Sequence, residues 1–348
     1  MKKIILLVLL MHSCYLSFSQ GVQFMETDLD AALLKAKEDN KAIFIDFYTS
    51  WCAPCKLMDK DVFPQEIVGN YLNSKFVNLK INAEKEGKDL AKKYGIRAYP
   101  TFVMLDQDGA LLHIFAGGIL DGEKFIAKVA TTFDEQQAFG KLKKRIDSGE
   151  NSIELQSTYL QALINTHTEN PEPPVNAFYN SLTDDEKISD KTLFIYEFFA
   201  PFGSEKALFL EENRAQFRKV ANTKKVDSIL RSKYDTYFGQ IAQGYVQDKT
   251  LEDVSKTEKH VKSLGFENLK GLPVMIAGAK LQLSKEGKDV FINQVNKALP
   301  NLSDNEKDLM LYALLPGLKN LLSEDEKQNL MGLISNDSVK TYLERSLN

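Results

Sequence analysis

The chain has 348 residues and a formal net charge of −4, with 43% hydrophobic and 26% charged residues. This composition excludes an intrinsically disordered chain, and the length exceeds that of a typical single domain, so we expect two or three globular domains. The acidic balance argues against nucleic-acid binding, because phosphate binding needs clustered lysine and arginine. A short basic run, residues 141–145, is interpreted as a solvated helix face.

Residues 1–19 have the pattern of a secretory signal peptide. Basic residues precede an apolar run at 4–11, and Ser17 and Ser19 occupy the positions that a signal peptidase requires. The run is shorter than the roughly 20 residues that span a bilayer. We therefore predict cleavage after Ser19 and a periplasmic or otherwise exported protein. The alternative is a lipoprotein signal, in which Cys14 is lipidated and anchors the protein to a membrane.

Once the signal is removed, Cys52 and Cys55 are the remaining cysteines of the sequence. Structural disulfides of exported proteins usually join distant segments, whereas this pair closes almost no loop. The pair therefore indicates redox chemistry. A zinc site is the alternative, but it needs two further ligands, and we predict no metal and no cofactor. We interpret the scattered histidines as surface or packing residues: His113, His167 and His260.

Helix and strand patterns alternate from about residue 21 to about residue 133. A helix opened by Asp28 or Asp30 comes first, and further helices are predicted around 61–72 and at 121–132. Short apolar runs predict strands at 42–47, 76–81, 101–105 and 111–115. The pattern is that of an α/β domain.

Two segments resemble thioredoxin: residues 45–56, IDFYTSWCAPCK, and residues 93–101, KYGIRAYPT. An aspartate stands six residues before the first cysteine, and an x-Pro-Thr motif follows at a thioredoxin-like distance. The resemblance implies an α/β thioredoxin fold over residues 20–137 and thiol–disulfide exchange at the cysteine pair. The helix around 61–72 is more similar to that of the thioredoxin-like domains of periplasmic electron carriers than to that of cytosolic thioredoxin.

The spacing of the cysteines assigns each a role. Cys52 is predicted at the first turn of a helix, where unpaired backbone N–H groups and the helix dipole favour a thiolate. We expect it to be the exposed nucleophile. Cys55 lies one turn later and deeper, where it can resolve the mixed disulfide.

Asp46 interrupts an apolar strand, where an unpaired carboxylate is unfavourable. The resemblance implies that it is a buried proton acceptor for Cys55 and that Lys80 is its neighbour. The alternative is a solvated aspartate on an edge strand.

The resemblance also implies a substrate-binding surface around the cysteines. Trp51 directly precedes Cys52, and Pro54 lies between the two cysteines. Tyr99 and Pro100 match a cis-proline loop that presents backbone groups to an extended substrate. Gly117 matches the small residue that keeps the groove open, although the adjacent Gly118 leaves this match ambiguous.

Residues 138–348 show helical spacing without strand alternation, which predicts an all-α domain of unknown function. Capping boxes predict three helix starts, at Thr183 with Glu186, Ser303 with Glu306, and Ser323 with Glu326. An aromatic stretch at 194–202 is interpreted as a core helix, with a binding face as the alternative.

We predict a thiol–disulfide oxidoreductase that reduces, or relays electrons to, the disulfides of exported proteins. A reductant needs recharging, which suggests a membrane electron donor as a second partner. One alternative is a disulfide oxidase or isomerase. Another is a helical binding or scaffold protein that its thioredoxin-like domain docks to a thiol partner.

Overall fold

The computed structural model describes residues 21–266 and 271–347 of the chain. The chain divides into two compact units, with the boundary between Thr183 and Asp184. The predicted signal peptide at 1–19, with Cys14, lies outside the described residues. Within the described ranges, no helix is both long and apolar enough to cross a membrane.

The first unit contains a mixed five-stranded sheet. Its strands are β1 Phe24–Met25, β2 Ala42–Tyr48, β3 Phe76–Asn82, β4 Thr101–Leu105 and β5 Leu111–Ala116. They lie in the order β1-β3-β2-β4-β5, in which β3 is parallel to β1 and β2, and β4 is antiparallel to β2 and β5. The predicted strands are confirmed. The two-residue β1 has no apolar run that could have predicted it.

Eight α-helices are described in this unit: α1 Leu29–Asp39, α2 Ala53–Leu57, α3 Glu66–Lys75, α4 Lys88–Lys93, α5 Gly122–Ala130, α6 Phe139–Asp147, α7 Ile153–Thr166 and α8 Glu172–Ser181. Asp28 caps α1, since its carboxylate accepts a 2.9 Å hydrogen bond from the Ala31 N–H. This bond shows that Asp28, and not Asp30, is the residue that opens the helix. The predicted helix at 121–132 is α5, followed by a 3₁₀ turn at Thr131–Phe133.

The helix predicted around 61–72 has different bounds in the structure. A π-helical turn, Met58–Val62, continues α2, and α3 begins only at Glu66. Pro64 lies between them and has no N–H to continue a helical ladder. The π-helical turn directly follows the cysteine pair, and such turns often occur at functional sites.

An aromatic core lies under the helices of the first unit. Phe44 of β2 is fully buried, and its ring stacks on Phe102 of β4 at a centroid distance of 5.6 Å. Phe125 of α5 packs edge-on against both rings, at 6.2 Å and 5.2 Å. Such aromatic pairs each add about 0.5–1.5 kcal/mol beyond area burial. This packing fixes β2, the strand that leads to the cysteines.

The first unit extends beyond residue 137, the end that we predict for the thioredoxin-like domain. Phe139 and Leu142 of α6 are buried, and a Cβ on Gly140 would lie 1.9 Å from the Leu111 carbonyl oxygen. Glycine therefore permits α6 to lie directly against the start of β5. The bounds 20–137 of the thioredoxin-like domain stay a prediction.

From residue 184 onward, the described residues form helices and turns without a strand, so the predicted all-α character is confirmed. The helices are α9 Asp184–Lys187, α10 Leu193–Phe198, α11 Glu205–Glu212, α12 Arg214–Val220, α13 Thr223–Ala242, α14 Leu251–Ser263, α15 Leu272–Ser284, α16 Lys288–Ala298, α17 Asp304–Leu318, α18 Glu324–Met331 and α19 Asp337–Leu347. Helix α17 approaches the end of α13 closely at Gly317. A Cβ there would lie 2.2 Å from the Ala242 carbonyl oxygen, so a larger residue would not fit.

The predicted capping boxes at Ser303 and Ser323 are confirmed, and Thr250 with Asp253 forms another. The aromatic stretch at 194–202 divides between core and surface. Phe194 and Tyr196 of α10 are buried, whereas Phe198 at the end of α10 and Phe202 after it have 61% and 38% of their surface exposed. The core interpretation therefore fails for these two residues.

Candidate active site

The cysteine pair lies at the turn between β2 and α2. Cys52 is the N-cap of α2 and has an extended backbone, with φ −69° and ψ 107°. Its sulfur accepts a 3.1 Å hydrogen bond from the Cys55 N–H. Pro54 stands in the first helical turn, where a missing N–H leaves no intrahelical bond unmade. The sequence Cys-Ala-Pro-Cys thus starts the helix at the first sulfur.

Cys52 and Cys55 form a disulfide with an S–S distance of 2.03 Å. Both residues are only 2% exposed, so the predicted exposure of Cys52 is wrong for the disulfide form. The reason is that the Cys52 sulfur is tied to Cys55 and turns back toward the start of α2. In the reduced form, the same N–H would face a thiolate and stabilise its negative charge.

Asp46 lies on β2 between two neighbouring strands and is 1% exposed. The alternative of a solvated aspartate on an edge strand is therefore wrong. The strand register pairs Asp46 with Lys80 of β3, and the Lys80 Nζ donates to Asp46 Oδ2 at 3.0 Å. Burial raises the pKa of the Asp46 carboxyl to about 6, and the ammonium of Lys80 opposes this increase.

Two acidic residues near this site were missed by the sequence analysis. Asp59 of the π-helical turn also contacts the Lys80 ammonium. Glu84, just after β3, accepts a 3.0 Å hydrogen bond from the Trp51 indole N–H. No local sequence signal marks either residue, because both contacts join segments more than twenty residues apart.

Trp51 and Tyr99 form an aromatic rim beside Cys52. Trp51 is 64% exposed, and its ring meets Tyr99 edge-on at a centroid distance of 5.9 Å. The Tyr99–Pro100 peptide bond is cis. Burial is the first cause that raises the pKa of the Tyr99 hydroxyl, and the negative charge of Glu84 adds to it.

The two glycines after β5 occupy different environments. Gly117 donates a 2.8 Å backbone hydrogen bond to the Pro100 carbonyl, and its φ of +98° favours glycine. A Cβ on Gly118 would lie 3.5 Å from the Pro54 Cβ. Both glycines thus border the active-site residues, Gly117 at the cis-proline and Gly118 at the cysteine turn.

The histidines occupy separate places in the described structure. The His113 ring is buried between Thr131 and the Phe139 N–H, and burial lowers its pKa to about 3. His260 contacts Glu211 at 2.6 Å, and His167 ends α7 in a left-handed conformation. Among the described residues, no group of three or more His, Cys, Asp or Glu side chains could hold a metal ion.

The first unit is similar in sequence to thioredoxins. A family model described as a thioredoxin-like domain matches residues 29–132. Thioredoxin-1 of Drosophila melanogaster is 43% identical over 79 residues, which cover 23% of this chain and 69% of that protein. Thioredoxin-T of the same species is 33% identical over 112 residues, or 32% of this chain and 67% of that protein. The chain belongs to the thioredoxin-like family.

A solved structure of a putative disulphide-isomerase from Bacteroides thetaiotaomicron is 38% identical, covers 33% of this chain and 95% of that one, and has a TM-score of 0.31. The thioredoxin fold of the first unit is confirmed by the family match. With its bonded Cys52–Cys55 pair, this thioredoxin-like chain is a thiol–disulfide oxidoreductase.

Proposed function

We propose that the protein reduces, or relays electrons to, disulfides of exported proteins through Cys52 and Cys55. The observation that carries this proposal is the disulfide at the start of α2, in the same domain as a buried carboxylate on the preceding strand. A pair that bonds in this position can cycle between dithiol and disulfide without rearrangement of distant segments.

The proposed reaction has two exchange steps. The Cys52 thiolate attacks one sulfur of a substrate disulfide, which gives a mixed disulfide and releases the other substrate sulfur as a thiolate. Asp46 takes the proton of Cys55, whose thiolate then attacks the Cys52 sulfur. The Cys52–Cys55 bond forms, the bond from Cys52 to substrate breaks, and the electron pair leaves with the substrate sulfur, which is protonated from solvent.

The substrate is proposed to lie across the rim beside Cys52. Trp51 offers exposed and Tyr99 half-buried aromatic surface. Gly117 is hydrogen-bonded to Pro100, and its neighbour Gly118 borders the cysteine turn at Pro54. Pro54 keeps the entry to the helix rigid. A large side chain at Gly118 would fill the space beside Pro54 and obstruct this surface.

Trapping of partners tests the exchange role. In a Cys55→Ser variant, the mixed disulfide on Cys52 cannot be resolved, so substrates accumulate covalently bound. A Cys52→Ser, Cys55→Ser double variant is the matched control. Capture of disulfide-containing exported proteins by the single variant alone supports the proposal, whereas capture of none contradicts it.

The direction of electron flow is decided by the reduction potential. Potentials of thioredoxin-fold proteins range from about −270 mV for reductants to about −120 mV for strong oxidants. We propose a value near the reducing end, because a buried Asp46 can serve as a proton acceptor for resolution. A value near the oxidising end, measured against glutathione, would favour the oxidase or isomerase alternative.

Export and a membrane electron donor complete the proposal. Residues 1–19 are proposed to be a cleaved signal, and the mature N-terminus measured by mass spectrometry should be residue 20. A lipid-modified N-terminus at Cys14 would support the membrane-anchored alternative. Loss of the reduced form in cells that lack candidate membrane thiol donors would identify the partner that recharges the cysteines.

A binding role of the second unit is the other candidate function. A cavity of about 270 Å³ in this unit is bordered by the exposed Phe202 and Leu208, and its wall includes Tyr234 and His260. Exposed apolar surface with a polar rim is typical of interaction sites. If Cys52→Ser leaves the cellular phenotype intact, this binding role, and not exchange, is the main function.

A further inference from the structure

The ammonium of Lys80 is shared by two carboxylates. Its Nζ lies 3.0 Å from Asp46 Oδ2 and also contacts Asp59 Oδ1. The side chain of Asp46 is 1% exposed, whereas that of Asp59 is 44% exposed. A single cation therefore faces one buried and one solvated anion.

Aromatic rings hold this ammonium between its partners. The ring centroids of Phe24, Tyr48 and Phe63 lie 5.6, 4.9 and 5.3 Å from the Lys80 Nζ. Ring faces attract a cation at these distances. The rings thus limit where the Lys80 ammonium can lie. How strongly it attracts Asp46 then depends on whether Asp59 also contacts it.

The local fold brings Asp59 to this position. It belongs to the π-helical turn Met58–Val62, which directly continues the helix that Cys52 caps. On the other side of β2, the strand register pairs Asp46 with the uncharged Phe102 of β4. Among the residues that the structure describes, Lys80 and Asp59 are the charged groups that affect the pKa of Asp46.

We propose that Asp59 is a positioning residue, which holds the Lys80 ammonium in a shared position and so keeps Asp46 basic enough to accept the Cys55 proton. This inference rests on the proposed exchange function. A carboxylate that pairs alone with an ammonium is a weak base. In agreement, burial is the main cause that raises the pKa of Asp46, and the negative charge of Asp59 adds to the increase.

Titration of Asp46 in an Asp59→Asn variant tests the inference. Infrared difference spectroscopy of the disulfide form follows the protonated carboxyl band, and Asp46→Asn assigns it. Without the second anion, Lys80 serves Asp46 alone, so the Asp46 midpoint should fall by about 0.5–1 pH unit. In the reduced protein, the acid limb of the exchange rate should move in the same direction, and resolution at neutral pH should slow about twofold to threefold.

Two variants serve as controls. Asp59→Glu keeps the charge and should restore the wild-type midpoint and rate. Asp61→Asn removes an exposed carboxylate of the same turn that does not pair with Lys80 and should change neither.

The outcomes separate this inference from the proposed function. An Asp46 midpoint that stays or rises in Asp59→Asn overturns the inference, even if exchange slows. A wild-type protein that reduces no protein disulfide overturns the proposed function, and the titration of the disulfide form does not depend on that result. Equal effects of Asp61→Asn and Asp59→Asn would also overturn the inference, because they would reflect surface charge alone.

Discussion

The buried ring of His113 on β5 accepts a 3.0 Å hydrogen bond at Nδ1 from the backbone N–H of Phe139, the first residue of α6. Its Nε2 lies 2.9 Å from the Thr131 hydroxyl. Because Nδ1 accepts a hydrogen bond, the ring is neutral and carries its proton on Nε2. One side chain thus joins the sheet to the 3₁₀ turn and to the helix that extends the unit beyond residue 137.

This contact predicts a loss of stability in acid. Burial lowers the pKa of His113 to about 3, below the ordinary value of 6.5, so the unfolded chain binds a proton more readily between these values. The contribution of His113 is therefore fully present above pH 6.5 and decreases as the pH falls toward 3. Urea unfolding at a series of pH values measures how the free energy of unfolding depends on pH.

A His113→Leu variant provides the comparison. It should lose about 1–3 kcal/mol at pH 8, because the buried Phe139 N–H loses its acceptor. The difference from wild type should shrink as the pH decreases from 6.5 to 4.5. A difference that is independent of pH would show that the ring does not stay neutral in the fold.

For Asp46, we expect the free energy of unfolding to change with pH in the opposite direction. Its pKa rises from 3.8 to about 6 in the fold, so the native state holds the proton more tightly and stability decreases as the pH rises through this window. Asp46→Asn should remove this slope and slow resolution of the mixed disulfide by about 10- to 100-fold at neutral pH. Unfolding curves and single-turnover exchange measure the two effects, and unchanged exchange would remove Asp46 from the proposed mechanism.

The local motifs of the first unit could be predicted because each carries its signal within a few residues. The apolar run before the cysteines predicted β2, and the Cys-Ala-Pro-Cys spacing predicted a helix that begins at the first sulfur. Asp46 was noticed because a carboxylate in an apolar strand needs a partner. Its pairing with Lys80 came from the family resemblance, and the strand register then supplied the geometry.

Contacts between distant segments could not be predicted in this way. Asp59 looks like any exposed acidic residue of a helix, and only the π-helical turn brings it to Lys80. The bounds of the helix predicted around 61–72 are wrong because Pro64 interrupts it. A proline is compatible with the first turn of a helix but not with its interior, and the sequence does not show where the helix begins. The exposure of Cys52 was mispredicted because spacing alone does not show which way a bonded sulfur turns.

The two glycines after β5 should respond differently to alanine. At Gly117, with φ +98°, a side chain strains the backbone, so Gly117→Ala should destabilise the fold by about 1–2 kcal/mol. At Gly118, a Cβ would lie 3.5 Å from the Pro54 Cβ, an ordinary contact, so Gly118→Ala should fold normally. Thermal unfolding distinguishes the two variants, and equal losses of stability would contradict this assignment.

Trp51 offers a direct readout of the cysteine pair, because it is the single tryptophan of the sequence and precedes Cys52. A disulfide quenches a neighbouring indole, so reduction of Cys52–Cys55 should increase the intrinsic fluorescence. Replacement of Cys52 and Cys55 by serine should remove the change while the spectrum of Trp51 persists.

The same residue separates substrate binding from chemistry. Because Trp51 is 64% exposed, Trp51→Ala should change the free energy of unfolding by less than about 1 kcal/mol. With the reduced protein, it should lower the rate of attack on a folded protein disulfide severalfold, yet leave the reaction with a small disulfide nearly unchanged, since a small reagent does not need the aromatic rim. Equal losses with both reagents would show that Trp51 acts on the reactivity of Cys52 itself and not on recognition of the polypeptide.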